Sequence, residues 1–322
     1  MRFEISIPQN RRYDVVGLGL NAVDHIVVVP HFPEFNSKVR LLTHSRQTGG
    51  QVATAMVALQ KLGCKTFYIG KCGGDDAGQL VLQKLAEEGI EHATIQVTNA
   101  ANQIAYILID ARSGERTIVW DRDERLAFQP EEVPEEAIKS GKILHIDGHD
   151  VQADIRAAQI ARSAGMPVVI DVDNYYEGAD NLLPLVDFLI TSAEFPHRVT
   201  GLQEPKSALV KLKQISGSYF VAMTLGKHGV LAYHNEQFIH VEGFKVDCKD
   251  TTGAGDAFRA GFIYGLLKNL EIEDTLKTAN AVAAINCQAY GAQGGLPTPK
   301  ELFSFLTEAG EQKLARYLEG VN

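Results

Sequence analysis

The sequence predicts an α/β fold: a doubly wound, mostly parallel sheet with helices on both faces and a small β-sheet subdomain over one end. Three observations predict it. From Pro130 onward, short and fully apolar runs such as Val168-Val169-Ile170 and Phe188-Leu189-Ile190 alternate with segments whose apolar residues recur at helical spacing. Strands buried on both faces read this way. The extended segments before that point have a mixed pattern that does not suit such a layer, and they fall in two pieces, at about residues 20–48 and 95–126. The composition, 45% hydrophobic and 22% charged over 322 residues, is that of a globular chain able to bury a sizeable core.

The first strand is Tyr13-Asp14-Val15-Val16, ending in Gly17-Leu18-Gly19, and His25-Ile26-Val27-Val28-Val29 is a second extended piece. Residues 38–47 alternate weakly, as a third strand would. Gly49-Gly50 then opens a helix with Val52, Ala53, Met56, Val57 and Leu59 at helical spacing, stopped at Gly63. Residues 64–70 read as a strand, and 77–88 as a helix capped by Gly89. From 93 to 121 the chain reads as successive strands, with Arg112-Ser113-Gly114-Glu115 turning Tyr106-Ile107-Leu108-Ile109 back on Thr117-Ile118-Val119-Trp120. Strands follow at 143–146, 168–170, 188–190, 219–224 and 230–233, with helices at 150–164 and 205–215; helices at 254–270 and 273–289 close the core.

Lys and Arg number 31 against 40 Asp and Glu, a net charge of −9. An acidic chain without a basic tract lacks the phosphate-neutralising surface that nucleic-acid binding needs, so any polyanion must be held locally, by backbone amides or a metal ion. No apolar run approaches the roughly 18 residues of a membrane span, and Met1 to Arg12 has no apolar core of a secretory signal. Cys64, Cys72, Cys248 and Cys287 form no CxxC pair and read as reduced, buried thiols of a cytoplasmic protein.

Three glycine motifs carry the chemistry. Gly17-Leu18-Gly19-Leu20-Asn21-Ala22 matches a dinucleotide fingerprint, which would make the chain an oxidoreductase. That mechanism needs a helix directly after the glycines to hold the pyrophosphate, whereas the β-branched run that follows propagates as strand. The motif therefore reads as a tight strand-to-strand crossing that leaves Asp24 beside the sheet edge, placed to accept a sugar hydroxyl. Gly49-Gly50 at a helix start serves equally as a cap or as a place where a ligand meets bare backbone.

The third motif, Asp250-Thr251-Thr252-Gly253-Ala254-Gly255-Asp256-Ala257-Phe258, joins capping threonines, a stretch almost without side chains and a helix whose Ala257, Gly261 and Gly265 leave one face open to close packing. Bare amides at a helix N-terminus make an anion site. Asp256 in the first turn is a dipole-favoured carboxylate; it also stands where it could accept the proton of an attacking hydroxyl in phosphoryl transfer. Asp250 with Thr252 could hold a cation. No P-loop, H-R-D/D-F-G pair, HExxH or G-x-S-x-G occurs.

The Asp250–Phe258 block resembles the C-terminal signature of the ribokinase-like (PfkB) carbohydrate kinases. Gly17-x-Gly19-x-Asn21-x-x-Asp24, Gly49-Gly50, the Gly70, Gly74, Asp75, Gly78 series, Thr224-Leu225-Gly226-Lys227-His228-Gly229 and Gly291-Ala292-Gln293 follow that family's order over about residues 12–310. The resemblance implies one ribokinase-like kinase domain over 1–322, with a β lid inserted at about 20–48 and 95–126. It implies ATP-dependent phosphorylation of a hydroxymethyl group on a ribose- or fructose-like sugar. Asp256 would be the general base, with Gly253, Ala254 and Gly255 the anion hole. Asp24, Asn21, Gly49, Gly50 and Thr54 would meet the sugar, Thr54 replacing the family's usual Asn. Thr224, Gly226, Gly229, Asn280 and Ala283 would line ATP. Mg²⁺ would ride on the phosphates, with Glu194 in Thr191-Ser192-Ala193-Glu194 read either as the family's metal-segment glutamate or as a helix-start carboxylate. A K⁺ site would lie at Asp250 and Thr252. A nucleoside kinase of the same family is the alternative, with Phe32, Phe35, Tyr106 and Trp120 available to stack on a base; a sensor without turnover is a further one. Asp121-Arg122-Asp123-Glu124-Arg125 reads as a solvated turn or as a route for Arg122 or Asp123 to the sugar. The open face of a small sheet suggests a homodimer through the lid.

Overall fold

A computed structural model describes residues 1–320. The chain runs β1 (Tyr13–Leu18), β2 (Ala22–Val29), β3 (Thr43–Gly49), α1 (Gln51–Lys61), β4 (Thr66–Gly73), α2 (Asp76–Glu87), β5 (Glu91–Val97), β6 (Ile104–Asp110) and β7 (Arg116–Asp121). It continues through α3 (Glu135–Lys139), β8 (Gly141–Ile146), α4 (Val151–Ser163), β9 (Val168–Val172), α5 (Ala179–Leu182), β10 (Phe188–Thr191), α6 (Glu194–Thr200), α7 (Pro205–Ser216) and β11 (Phe220–Thr224). The last elements are β12 (Val230–His234), β13 (Gln237–Val241), α8 (Ala254–Leu267), α9 (Ile272–Asn286), α10 (Pro299–Glu308) and α11 (Gln312–Gly320).

Two sheets form. The large one has the order β13-β12-β11-β10-β9-β8-β1-β4-β5, parallel throughout except at β12 and β13; the small one has the order β3-β2-β6-β7. Alternate residues of the large sheet feed two cores. Val15, Ile143, Val169, Ile190 and Ala222 pack with α1, α2, α8 and α9 on one face. Val16, Leu144, Ile170, Leu189 and Val221 pack with α4 and α7 on the other. Strands sandwiched in this way must be apolar on both sides, which is the pattern read in the second half of the chain. Sequence order runs outward in both directions from β1, so the carboxyl ends of β1, β8, β9 and β10 surround a switch-point crevice, where α/β sheets bind ligands.

Several elements differ from expectation. The run beginning at Ala93 was expected to open the inserted strands; β5 instead pairs in parallel with β4 at the edge of the large sheet. Its mixed exposure is that of an edge strand. The third strand falls at Thr43–Gly49 rather than 38–47. The short, mostly exposed edge strand β13 and the helices α10 and α11 had no counterpart in the sequence reading, whereas α6 begins at Glu194, where a helix start was one of the two readings. His145 on β8 is fully enclosed, and burial brings the pKa of its ring down to about 4.

Candidate active site

The three glycine motifs meet at this crevice. After Gly19 the chain passes directly into β2, so no helix follows and the dinucleotide geometry is absent. Gly17 is small for a packing reason: a Cβ there would stand 2.6 Å from Val52 Cγ1 and 2.8 Å from Met56 Sδ, side chains of α1. Asn21 is 4% exposed and donates its amide to Tyr68 Oη at 2.9 Å and to the Lys71 carbonyl at 2.7 Å, leaving Oδ1 without a partner. Asp24 lies on the inner face of the small sheet. Any side chain at Gly49 would strike its carboxyl group, and Gly50 (φ 92°) would crowd Asn21 in the same way. The glycine pair thus lets β3 and α1 close over Asp24. Burial first, and then the nearby Asp250, push Asp24 up to about 7, while Arg116 opposes the rise. Thr54 is different: it is fully enclosed in α1, and its hydroxyl accepts from Gln293 Nε2 at 3.4 Å. Thr48 donates to Gln293 Oε1 at 2.9 Å, so Thr54 helps anchor the 291–295 loop and presents no surface to the crevice.

That loop is the floor of the third motif. Asp250 accepts the Thr252 amide at 2.8 Å and the Gly291 amide at 2.7 Å, drawing the two loops together. Gly253 (φ 73°) is the N-cap of α8, and a Cβ on it would stand 2.5 Å from the Ala292 carbonyl oxygen. Ala257 makes the first i→i−4 bond, to Gly253 at 2.9 Å, so the amides of Gly255 and Asp256 precede the helical ladder and face outward from its end. Asp256 is partly exposed there. Its carboxyl is held well above the usual range, chiefly by desolvation and then by Asp171, with Arg259 and Arg116 opposing. Thr252 Oγ1 is buried and has no partner.

Three residues of this cluster were not singled out from sequence. Arg116, at the start of β7, reaches across from the small sheet and donates to Thr251 Oγ1 at 2.6 Å. Asp171 on β9 and Arg259 on α8 form an ion pair at 2.9 Å with both side chains 3% exposed. The signals were an Arg inside an otherwise small, apolar helix face and an Asp inside an apolar strand.

On the opposite side, Thr224 ends β11 and donates to the Thr191 carbonyl at 3.3 Å. Gly226 (φ 56°) and Gly229 (φ 82°) shape the turn into β12. Asn280, 6% exposed, donates to the carbonyls of Val241 at 3.2 Å and Glu242 at 3.0 Å, tying α9 to the chain leaving β13; Ala283 lies one turn further on. Glu194 stands exposed at the first turn of α6, and among the described residues no group of three acidic, His or Cys side chains is arranged to hold a metal. Arg122 is held by Asp150 through two bonds at 2.8 and 2.6 Å, and it lines a cavity together with Gly19, Leu20 and Asn21. Asp123 pairs with Arg125 and caps the turn.

A match to the pfkB family of carbohydrate kinases spans residues 13–299. The chain belongs to that family. The kinase is 29% identical over 300 residues to ribokinase of Haemophilus influenzae, covering 91% of this chain and 98% of that one. It is 25% identical over 291 residues to a nucleoside kinase of Methanothermobacter thermautotrophicus, covering 89% and 94%. Ribokinase from Giardia lamblia superposes with a TM-score of 0.82 at 20% identity, over 92% of this kinase and 99% of that chain. The ribokinase-like fold and an ATP-dependent phosphotransferase activity on a sugar or nucleoside follow from this membership. No helix among the described residues is long and apolar enough to cross a membrane.

Proposed function

We propose that this kinase phosphorylates a hydroxymethyl group of a ribose- or fructose-like sugar, with Asp256 accepting the hydroxyl proton. The observation that carries the reading is the placement of Asp256 at the head of α8, beside amides left free by the helix start and within the field of Arg116. ATP with Mg²⁺ supplies the transferable phosphoryl group. The amides of Gly255 and Asp256, in the cradle that Gly253 and Ala254 keep clear, hold the charge developing on that group. Arg116 adds a cation from the small sheet. Asp24, Gly49 and Gly50 orient the sugar, and Asn21 offers its unpartnered Oδ1. Thr224, Gly226, Gly229, Asn280 and Ala283 form the opposite wall, for ATP. Mg²⁺ would be carried by the ATP phosphates, and the unpartnered Thr252 hydroxyl beside Asp250 fits a K⁺ ligand. In this reading residues 1–322 are one kinase domain, and the small sheet, with its insert pieces at about 20–48 and 95–126, closes over the sugar as a lid.

ADP release measured across ribose, fructose and adenosine separates the sugar reading from the nucleoside reading. Trp120 favours the second: it lies on the inner face of the small sheet, edge-on to His149 at 6.0 Å, half exposed and available to a base. Tyr106 is on the outer face, stacked on His25 at 4.8 Å, where no substrate in the crevice would meet it. Asp256→Asn should lower kcat by at least about 10²-fold, the low end for a positioned base, while ATP still binds. Near wild-type turnover in that variant would refute the assignment.

We also propose a homodimer through the outer face of the small sheet. His25, Tyr106 and Val119 lie side by side there in register, with Val119 62% exposed, and half-buried Val27 and Leu108 extend the apolar strip. Light scattering at micromolar concentration should give twice the chain mass, and Val119→Lys should halve it; a wild-type monomer overturns the proposal.

A further inference from the structure

The Asp256 carboxyl has an unusual neighbour for a proton acceptor. Asp171, from the end of β9, is in hydrogen-bond contact with it, and two carboxyls can share such a bond only if one carries a proton. Arg259, one turn along α8 from Asp256, decides which. Its Nη2 lies 2.9 Å from Asp171 Oδ1 and 3.3 Å from the Ile190 carbonyl, and its side chain runs beneath Gly255, where a Cβ would stand 2.7 Å from Nη1. The guanidinium therefore favours the charge on Asp171, and a proton held by the two carboxyls is favoured on Asp256. A base that is already protonated cannot take a second proton on the same oxygen without passing its own along.

We propose that the proton acceptor of this kinase is the hydrogen-bonded Asp171–Asp256 pair, whose single proton and single charge are fixed by Arg259, rather than Asp256 alone. The inference rests on the reading of Asp256 as the group that meets the alcohol. As the substrate oxygen bonds to phosphorus, its O–H bond breaks and the proton goes to the free oxygen of Asp256. The proton Asp256 already carried moves along the hydrogen bond to Asp171. The alcohol loses one proton, the pair gains one, and ADP leaves with the electrons of the broken P–O bond. Arg259 and Asp171 are positioning residues: neither touches the substrate. The other charges facing Asp256 are Asp173, just beyond β9, and Arg116 from β7. Neither bonds to Asp171, so both would shift the pair without choosing between its members.

The test is a set of pH profiles. kcat/KM would be followed with ribose or fructose, whichever releases ADP. The protonated-carboxyl stretch that disappears in Asp256→Asn would be followed by infrared difference titration without any substrate. In Asp171→Asn the second negative charge is gone, so the acidic limb and the infrared band should both move down by at least about one pH unit, a tenfold change in the ionisation constant. In Arg259→Gln both should move up by at least as much, and Arg259→Lys should bring them back towards wild type. A purely structural ion pair would lower activity at every pH and leave both midpoints in place. Unmoved midpoints in Asp171→Asn and Arg259→Gln, with turnover still lost in Asp256→Asn, would overturn this inference alone. Full turnover in Asp256→Asn would instead remove the reading beneath it. If Arg259→Gln fails to fold, the Asp171→Asn titration still decides, because a downward shift is required of it.

Discussion

At the scale of single residues, the site depends on positions where a side chain would be in the way. Gly253 combines a positive φ of 73° with a carbonyl oxygen 2.5 Å from where a Cβ would sit. Left-handed backbone costs a non-glycine residue about 1–2 kcal/mol, and relief of the contact requires the 291–293 loop to move. Gly253→Ala should therefore lose activity far out of proportion to stability: thermal unfolding a few degrees lower, but kcat down at least tenfold as the first-turn amides rotate. Unaltered kcat in a folded variant would show that the amides do not hold the transferred group. These glycines were legible in the sequence because their reason is local, a turn followed at once by a helix. Arg116, Asp171 and Arg259 were not. Their meaning lies in contacts that span 88 residues between Asp171 and Arg259 and 135 between Arg116 and Thr251, and no local pattern records such pairs. Thr54 was misplaced for the same reason: its position in the motif suggested the sugar, but only the fold shows that Gln293 occupies its hydroxyl.

At the scale of elements, α8 is the piece on which the proposed chemistry rests, and α9 packs against it. The Ala257, Gly261, Gly265 face was read from sequence as a surface for close packing, and the two helices meet along it. A Cβ at Gly261 would stand 2.8 Å from Ala279 Cα, and one at Gly265 would stand 2.8 Å from Thr275 Cγ2. Gly261→Val would force the helices apart at a cost of about 1–3 kcal/mol, typical of overpacking. Because the N-terminus of α8 is the proposed anion site, urea unfolding should show that loss, and kinetics should show a raised KM for ATP. A stable variant with native KM would mean that α8 is not held by this contact. Long amphipathic helices and buried strands were predictable from periodicity, since burial on one or both faces dictates their composition. β13 escaped because a five-residue edge strand with one buried position (Val241) has no period to read. β5 was assigned to the wrong sheet because an edge strand of a parallel sheet looks like any half-exposed strand.

At the scale of the whole molecule, the crevice gathers acids whose burial the fold must tolerate. Asp24 and Asp147 are both pushed up to about 7 by desolvation, and Asp154 is raised well above its usual range. Asp154 is fully enclosed, and neither carboxyl oxygen meets a hydrogen-bond partner. In the unfolded chain these groups ionise near the ordinary carboxylate value of about 4. Above that pH the native state binds more protons than the unfolded state, so stability falls as pH rises until each group's folded value is passed. Buried histidines oppose this at lower pH. His145, His149 and His234 are held neutral by burial, so the unfolded chain binds the extra protons there and stability rises with pH up to the ordinary histidine value of about 6.5. Above that value only the acids still act. Between about pH 4 and 6.5 the two sets oppose each other, and above 6.5 stability should decline towards pH 8, by up to about 1.4 kcal/mol per pH unit for each acid still protonated. Asp154 touches neither proposed ligand, so its share can be removed without disturbing the site. Asp154→Leu should raise the urea midpoint at pH 8 and flatten the decline between pH 6.5 and pH 8, with kcat unchanged. A wild-type midpoint as high at pH 8 as at pH 6.5, or a variant with the same slope as wild type, would mean that the enclosed acids are ionised and are compensated by charges elsewhere in the fold.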